Sequence, residues 1–379
     1  MPENGSDILD KIIELRHLLH QNAELSLHED KTRQIIKDFI RENTTLTPVE
    51  ENGCIYAVYN QDGKRTVALR GDFDALPIEE KNDKPYCSLN KDISHRCGHD
   101  GHTAALCGAM LSIIEKDCKN RVIFIFQKGE EIGAGGEVGA NILKRLGADR
   151  VYGWHNIPGF EKNTILIRDN TFCCGSRGII IELEGKSAHA AYPETGISPV
   201  NAIRDILDYV NELNYSPSKG LLHCTVVGIT CGGEDFGVAA YRARLMLTLR
   251  GEIGEEYEAA VKGLEDKAYY YAHRDGLKCS VSYSDVFPST ENGKRAVNEL
   301  TEVCKNIGLK YVKPKKPFRW SEDFGHYTQS TEGCFFGIGC GEDYPPLHTD
   351  KYDFPDDIIK TAVMVMTELA LAKFTEGQQ

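Results

Sequence analysis

The stretch "RVIFIFQKGEEIGAGG", residues 121–136, decides how the chain is read. Its first seven residues are mostly apolar, β-branched or aromatic, which suits a strand covered on both faces. Charged residues and glycines follow at once, then "VGANILKRLG" at helical spacing and a further strand at "VYGWHN". Strand, polar loop, helix, strand is the grammar of a parallel sheet whose loops gather at the strand ends. Upstream the pattern repeats. Helices are predicted at "DILDKIIELRHLLHQ" and "KTRQIIKDFIREN", strands at "CIYAVYN" and "TVALRGDFDAL", and a helix at "HTAALCGAMLSIIEK". These residues imply an α/β layer sandwich.

From about Cys174 the order changes to strand ("GIIIELEG"), helix ("PVNAIRDILDYVNEL"), strand ("LLHCTVVGITC"), strand ("YRARLMLTLRG"), helix ("EEYEAAVKGLEDKAYYYAHRDG") and strand ("LKCSVSYSD"). That β-α-β-β-α-β succession is a ferredoxin-like unit of a length that suits a separate inserted domain. After "VFPSTENG" the α/β character returns, with helices at "KRAVNELTEVCKNIG" and "DDIIKTAVMVMTELALAKF" around a short strand at "CFFGIG". The expected organisation is a discontinuous catalytic domain, residues 1–173 and 288–379, interrupted by an inserted α+β domain at 174–287.

A length of 379 residues fits two domains, and 41% hydrophobic with 27% charged residues describes an ordinary soluble protein. No apolar run approaches the ~18 residues of a membrane span, and "MPENGSDILDKII" lacks the basic and apolar regions of a signal peptide. A cytoplasmic location is expected. A net charge of -13 argues against nucleic acid or an anionic membrane as partner and favours a small molecule or peptide. The thirteen cysteines form no small-domain framework, and a cytosolic location is expected to keep most of them reduced.

Five loops fall at or just after predicted strand ends: "RGDFDALP", "HRCGHDGH", "QKGEEIGAGG", "GWHN" and "PPLHTDKYDFPDD". Strand ends are where open α/β sheets place ligands, and these loops bring thiolate, imidazole and carboxylate donors, the usual ligands of zinc and related ions. Each has a plainer reading alone. Cys97 and His99 fit a polar turn capping the next helix, Glu130 and Glu131 a solvated face, His155 a core histidine, and His348 an ordinary loop. Cys97, with His95, His99 and His102 nearby, also fits a thiol nucleophile. That reading leaves the paired glutamates and the remote histidines without a role, whereas a metal cluster uses them all.

The segments "ALRGDFDALPIEE", "HRCGHDGHTAALCGAM", "FIFQKGEEIGAGG", "WHNIPG", "GKSAHAAYPETGISPVNA", "WSEDFGHY" and "FFGIGCGEDYPPLHTDKYDFPDD" together resemble the M20 metallopeptidase/amidohydrolase family. Within it they resemble the amidohydrolases of N-acyl amino acids, auxin conjugates, hippurate and N-acetyldiaminopimelate. The resemblance implies a zinc-peptidase-like three-layer catalytic domain with a lid and dimerisation domain, hence a homodimer. It implies two divalent ions, manganese or zinc before cobalt or nickel, on Cys97, His99, Glu131, His155 and His348. Glu130 is then general base and acid, and an aspartate of "GDFD" supports the site, Asp72 being favoured over Asp74. Two ions roughly 3.5–4 Å apart share a water, lower its pKa towards ~7 and polarise the amide carbonyl. In the lid, His189 maps to a histidine contacting the reacting group or the substrate carboxylate.

One segment departs from the family pattern. "GGEDFGVAAYRARL" replaces the usual "GG…NVIPD" and lacks its asparagine and proline, which bears on acyl and amino-acid preference. The expected activity is cleavage of N-acyl amino acids or related small amides. A dipeptidase or carboxypeptidase is the alternative on the same centre, and a catalytically silent binding protein on the same fold is the non-enzymatic one.

Overall fold

The computed structural model describes residues 4–373; Phe374, the last residue of the expected terminal helix, lies outside them, as do residues 1–3 of the stretch read for a leader. In chain order the elements are α1 (Asn4–Gln21), α2 (Asp30–Asn43), β1 (Val49–Glu51), β2 (Cys54–Tyr59), β3 (Thr66–Asp72), α3 (His99–Glu115), β4 (Arg121–Gln127), α4 (Gly136–Leu146), β5 (Arg150–Pro158), β6 (Ile165–Leu166) and β7 (Asn170–Cys173). There follow β8 (Gly175–Glu184), α5 (Val200–Tyr215), β9 (Leu222–Cys231), β10 (Arg242–Gly251), α6 (Gly254–Arg274), β11 (Lys278–Phe287), β12 (Thr290–Asn292), α7 (Lys294–Asn306), β13 (Tyr311–Val312), α8 (Gly325–Ser330), β14 (Gly333–Gly341) and α9 (Ile359–Leu371).

The chain divides into two compact units. The first comprises Met1–Phe172, Thr290–Lys316 and Asp323–Gln379, and the second Cys173–Ser289 and Pro317–Glu322. The short segment Pro317–Glu322, which the sequence pattern leaves with the flanks, is held in the second unit by main-chain and side-chain bonds. Cys174 N–H donates to Phe318 O at 3.0 Å, and Arg250 Nη1 to Arg319 O at 3.1 Å.

In the first unit, among the described residues, an eight-stranded sheet runs β1-β2-β4-β3-β5-β14-β6-β13. Its middle strands β4, β3, β5 and β14 are mutually parallel, so their C-terminal ends share one edge. β3 is buried along its whole length and β4 at all but its first residue, as expected of strands covered on both faces. Ile12 and Leu19 of α1, Leu106 and Met110 of α3, and Val365 and Leu369 of α9 join Val67, Leu69 and Phe124 in one core.

In the second unit a four-stranded antiparallel sheet runs β11-β8-β10-β9, the strand order of a ferredoxin-like fold. Leu245, Leu247 and Leu249 alternate towards a core shared with Ile203 and Ile206 of α5 and Leu264 and Ala268 of α6. Strands β1, β6, β7, β12 and β13 and helix α8 have no counterpart in the sequence reading. Strands of two to four residues and a six-residue helix are too short to display a period. No described helix is long and apolar enough to cross a membrane.

A buried ionic network ties α1 to the start of α3. His20 is fully buried, its Nδ1 2.7 Å from Asp100 Oδ2 and its Nε2 3.2 Å from Glu80 Oε1. Arg16 adds Nη1 at 3.3 Å from Asp100 Oδ2 and Nε at 2.9 Å from Asp356 Oδ1. Burial pushes the His20 pKa down, but Asp100 and Glu80 outweigh it and hold the pKa at about 9, against an ordinary 6.5. The folded state therefore keeps a proton that the unfolded chain has lost once pH exceeds 6.5. Stability from His20 is complete below pH 6.5 and is lost as pH rises through about 9. Urea unfolding should weaken across that interval by up to about 3 kcal/mol. His20→Gln should lack that part of the pH dependence; an equal slope in wild type and variant would contradict the assignment.

Candidate metal centre

Four chain segments deliver the site to the shared strand edge. β3 ends at Asp72, and Asp74 follows after the chain has left the sheet. β4 ends at Gln127, and a 3-10 turn then carries Glu130 and Glu131. β5 carries His155 within the strand. β14 ends at Gly341, and the loop beyond it carries His348.

The fifth contribution, "CGHDGH", depends on two glycines. Gly98 has φ +95, and a Cβ there would stand 2.6 Å from Asn156 Oδ1, so only glycine lets the chain turn from Cys97 into α3. A Cβ on Gly101 would meet the Phe354 ring at 2.3 Å. With both present, α3 begins at His99 and His99 and His102 point into the same buried region, 5.4 Å apart between ring centroids.

The structure brings together seven of the expected residues: Asp72, Cys97, His99, Glu130, Glu131, His155 and His348. Cys97 Sγ lies 3.3 Å from His155 Nε2 and 3.3 Å from His348 Nε2. His348 Nε2 lies 3.5 Å from Glu131 Oε2. His99 Nε2 lies 3.8 Å from each of Asp72 Oδ2, Glu130 Oε2 and Glu131 Oε1. Cys97, His99 and His155 form one set whose ligand atoms all fall within 4.8 Å of one another; Cys97, Glu131 and His348 form a second. The eighth, His189, belongs to the second unit, where it is exposed and its Nδ1 accepts the Ala191 N–H at 3.0 Å.

Two observations fit these residues to cations. His99 Nε2 and Glu131 Oε1 are buried without a hydrogen-bond partner, a cost of about 1–3 kcal/mol each that a shared ligand would remove. The donor set of one thiol, imidazoles and carboxylates is that of zinc and neighbouring divalent ions. Burial, helped by Glu131 and Glu130, pushes the Cys97 thiol well above its usual range, the opposite of what a thiolate nucleophile requires. Burial with His102 and His99 holds His155 well below its ordinary value, leaving the neutral ring that a ligand needs.

The two aspartates of "GDFD" have different partners. Asp74 Oδ1 lies 3.2 Å from His99 Nδ1, and its Oδ2 accepts Ser26 Oγ–H at 2.7 Å and Glu131 N–H at 3.0 Å. Asp72 faces Arg70 Nη1 at 2.5 Å and His102 Nδ1 at 2.6 Å; against its burial, Arg70 and the two histidines hold its carboxyl well below the ordinary range. Several neighbours were not singled out by the sequence reading. Asp323, within the matched "WSEDFGHY", gives its N–H to Glu130 Oε1 at 3.3 Å, and its carboxylate accepts Arg70 Nη2 at 3.0 Å and Gly136 N–H at 2.7 Å. Asn156 donates Nδ2–H to Cys97 O at 3.0 Å and to Tyr352 Oη at 2.6 Å. His102 lies between Asp72 and Asn156, its Nδ1 2.6 Å from Asp72 Oδ1 and its Nε2 2.5 Å from Asn156 Oδ1.

The family model of peptidase family M20/M25/M40 matches residues 68–372. The chain belongs to this family. It is an M20-family hydrolase, in keeping with metal-dependent hydrolysis of amide or peptide bonds. It is 30% identical to an uncharacterized hydrolase of Staphylococcus haemolyticus, over 93% of this chain and 95% of that one. It is 28% identical to the N-acetyldiaminopimelate deacetylase of Lacticaseibacillus casei, over 96% and 97%. In fold it is similar to the YXEP protein of Bacillus subtilis, described as a dinuclear metal binding peptidase of the M20 family, with a TM-score of 0.80 at 24% identity, covering 97% of this chain and 98% of that one.

Because both ligand sets contain the same sulfur, the M20 site should respond unequally to ligand removal. In cobalt titrations of metal-free protein, His155→Ala and His348→Ala should each lose one of two equivalents, whereas Cys97→Ser should weaken both by roughly tenfold or more. Loss of a single equivalent in Cys97→Ser would mean that the sulfur is not shared.

Proposed function

We propose that the protein is a dinuclear metal-dependent amidohydrolase that cleaves the amide bond of N-acyl amino acids or related small amides. The observation that carries this reading is the pair of ligand sets meeting at Cys97, with Glu130 beside them. The dinuclear description of the Bacillus subtilis neighbour supports the two cations, and the name of the Lacticaseibacillus casei relative supports an N-acyl substrate. Manganese or zinc is the favoured occupant; a thiolate ligand inclines the choice to zinc.

When bound, the cations would polarise the scissile carbonyl and acidify a water. The chain's own residues do the rest. Glu130 is held at Oε1 by the Asp323 N–H and takes the water's proton at Oε2, the oxygen on the His99 side. It then delivers that proton to the amide nitrogen, which leaves poorly unless protonated. Asp74 is the aspartate we assign to orient His99, since it alone of the two meets Nδ1; Asp72, favoured from the sequence, balances Arg70 and His102. His189, whose Nδ1 accepts an N–H, carries its ring proton on Nε2 when neutral and donates it to the substrate carboxylate.

We assign the second unit as lid and dimerisation domain. Its edge strand β9 exposes Val226, Val227 and Ile229, apolar residues on a strand with an unpaired side, an arrangement that favours pairing with a second copy. The thirteen free thiols support a reducing compartment, the cytoplasm.

Three measurements test the reading. Metal-free protein reloaded with single divalent cations should release free amine from N-acetyl, N-benzoyl or long-chain N-acyl amino acids in preference to dipeptides; preference for dipeptides would move the assignment to a dipeptidase, and turnover of neither, with metal bound, to a silent binding protein. Glu130→Gln should lose about 10²–10⁴-fold in kcat while retaining both metal equivalents. Val227→Lys should convert a dimer to a monomer in light scattering; a wild-type monomer would remove the dimer assignment.

A further inference from the structure

We propose that Arg96 is a positioning residue for His348, and through it sets the affinity of the pocket formed by Cys97, Glu131 and His348 without setting that of the pocket formed by Cys97, His99 and His155. This rests on the reading that the two sets hold divalent cations.

His348 is the least supported member of the centre. It lies in the loop between β14 and the 3-10 turn Asp356–Ile358, outside any strand or helix, so no ladder of main-chain bonds fixes it. Its backbone is left-handed, at φ +60, and its side chain is 51% exposed. A residue with a Cβ occupies that region only where neighbours hold it there.

Arg96 is fully buried and grips this loop at two points. Its carbonyl oxygen accepts the His348 N–H at 2.9 Å, and its Nη1 donates to Tyr352 O, four residues further on. The guanidinium is itself fixed from two other directions, with Nε donating to Ser94 Oγ at 2.9 Å and Nη2 2.7 Å from Glu80 Oε1. Glu80 in turn accepts the Ser88 N–H at 2.8 Å and faces His20. Cys97 has its own tether, the Asn156 Nδ2–H donating to Cys97 O at 3.0 Å, so Arg96 governs the His348 side of the spacing between the sulfur and the imidazole.

The other pocket has separate supports. His99 is oriented by Asp74, and His155 sits on β5 with Nδ1 donating to Asn156 O at 2.9 Å. A loosened loop therefore moves one ligand set and leaves the other in place. A lysine keeps the positive charge but is a point donor that cannot span three oxygens lying in different directions.

Calorimetric titration of metal-free protein with cobalt(II) separates the two pockets. Arg96→Lys should bind one equivalent as wild type does and the other about 10–100-fold more weakly, matching the pocket lost in His348→Ala. The thiolate-to-cobalt absorption from the retained pocket should persist. Ser94→Ala, which releases Nε alone, should weaken the same pocket by a smaller factor, and it decides the matter if Arg96→Lys does not fold. Two equally weakened pockets, or two unchanged ones, in a folded Arg96 or Ser94 variant would overturn the proposal while His348→Ala still loses one. If His348→Ala keeps both equivalents, the underlying assignment of His348 as a ligand fails instead.

Discussion

The carboxylate of Asp74 is the junction on which the centre is assembled. It faces the ring of His99 at the start of α3, receives the N–H of Glu131 from the turn after β4, and accepts the Ser26 hydroxyl from the connection between α1 and α2. Three segments far apart in sequence are thereby set against the end of β3. Losing the carboxylate would remove the acceptor of the Glu131 amide and the Ser26 hydroxyl together and leave His99 Nδ1 to the Asp74 carbonyl oxygen alone, at 3.0 Å. The turn has a second tether of the same kind, since Gly129 N–H donates to the buried Glu29 at 2.9 Å. Glu130 and Glu131 therefore inherit their positions from main-chain bonds to carboxylates.

Charge balance gives the second constraint. Asp72 and Asp323 are both buried, and they bracket Arg70, a fully buried arginine in the central parallel strand β3. A buried guanidinium is costly unless its donors are satisfied. Here Gln127 supplies a further acceptor to Nε at 2.9 Å and returns its own amide to Asp323 at 2.8 Å. The network ends at Glu130, through the Asp323 N–H, so the group proposed to move a proton is anchored to a hydrogen-bonded lattice of two carboxylates around one guanidinium.

The architecture was legible because its long elements carry strong periods. "RVIFIFQ" is a doubly covered strand, β10 alternates buried leucines, and the inserted unit shows its β-α-β-β-α-β order in the primary structure. The proposed ligand set is legible only jointly, since Cys97, His155 and His348 each have a plainer reading alone. What the sequence could not separate was Asp72 from Asp74. Two residues apart on an extended chain they project to the same side, and they diverge because β3 ends at Asp72 and the chain then leaves the sheet. Arg96, Asn156 and Asp323 were missed for a related reason. The contacts that matter are with main-chain atoms or with residues 59 to 256 positions away, and neither leaves a local pattern.

The neighbouring glutamates show how one turn divides two chemistries. In a 3-10 turn successive side chains leave the axis about 120° apart, yet Glu130 and Glu131 each bring an oxygen to 3.8 Å from His99 Nε2, so they differ in what holds the other oxygen. Glu131 reaches His348 at 3.5 Å and His99 at 3.8 Å, inside both histidine environments, and burial with the nearby aspartates lifts its carboxyl to about 7. Such a group binds a proton readily when no cation is present and gives it up to one, which is the behaviour of a ligand. Glu130 is held instead by the Asp323 amide, with its other oxygen towards His99. A carboxylate anchored at one oxygen and facing the reacting region with the other is suited to shuttle a proton. The proposed division of labour between base and ligand thus follows from which oxygen each neighbour occupies.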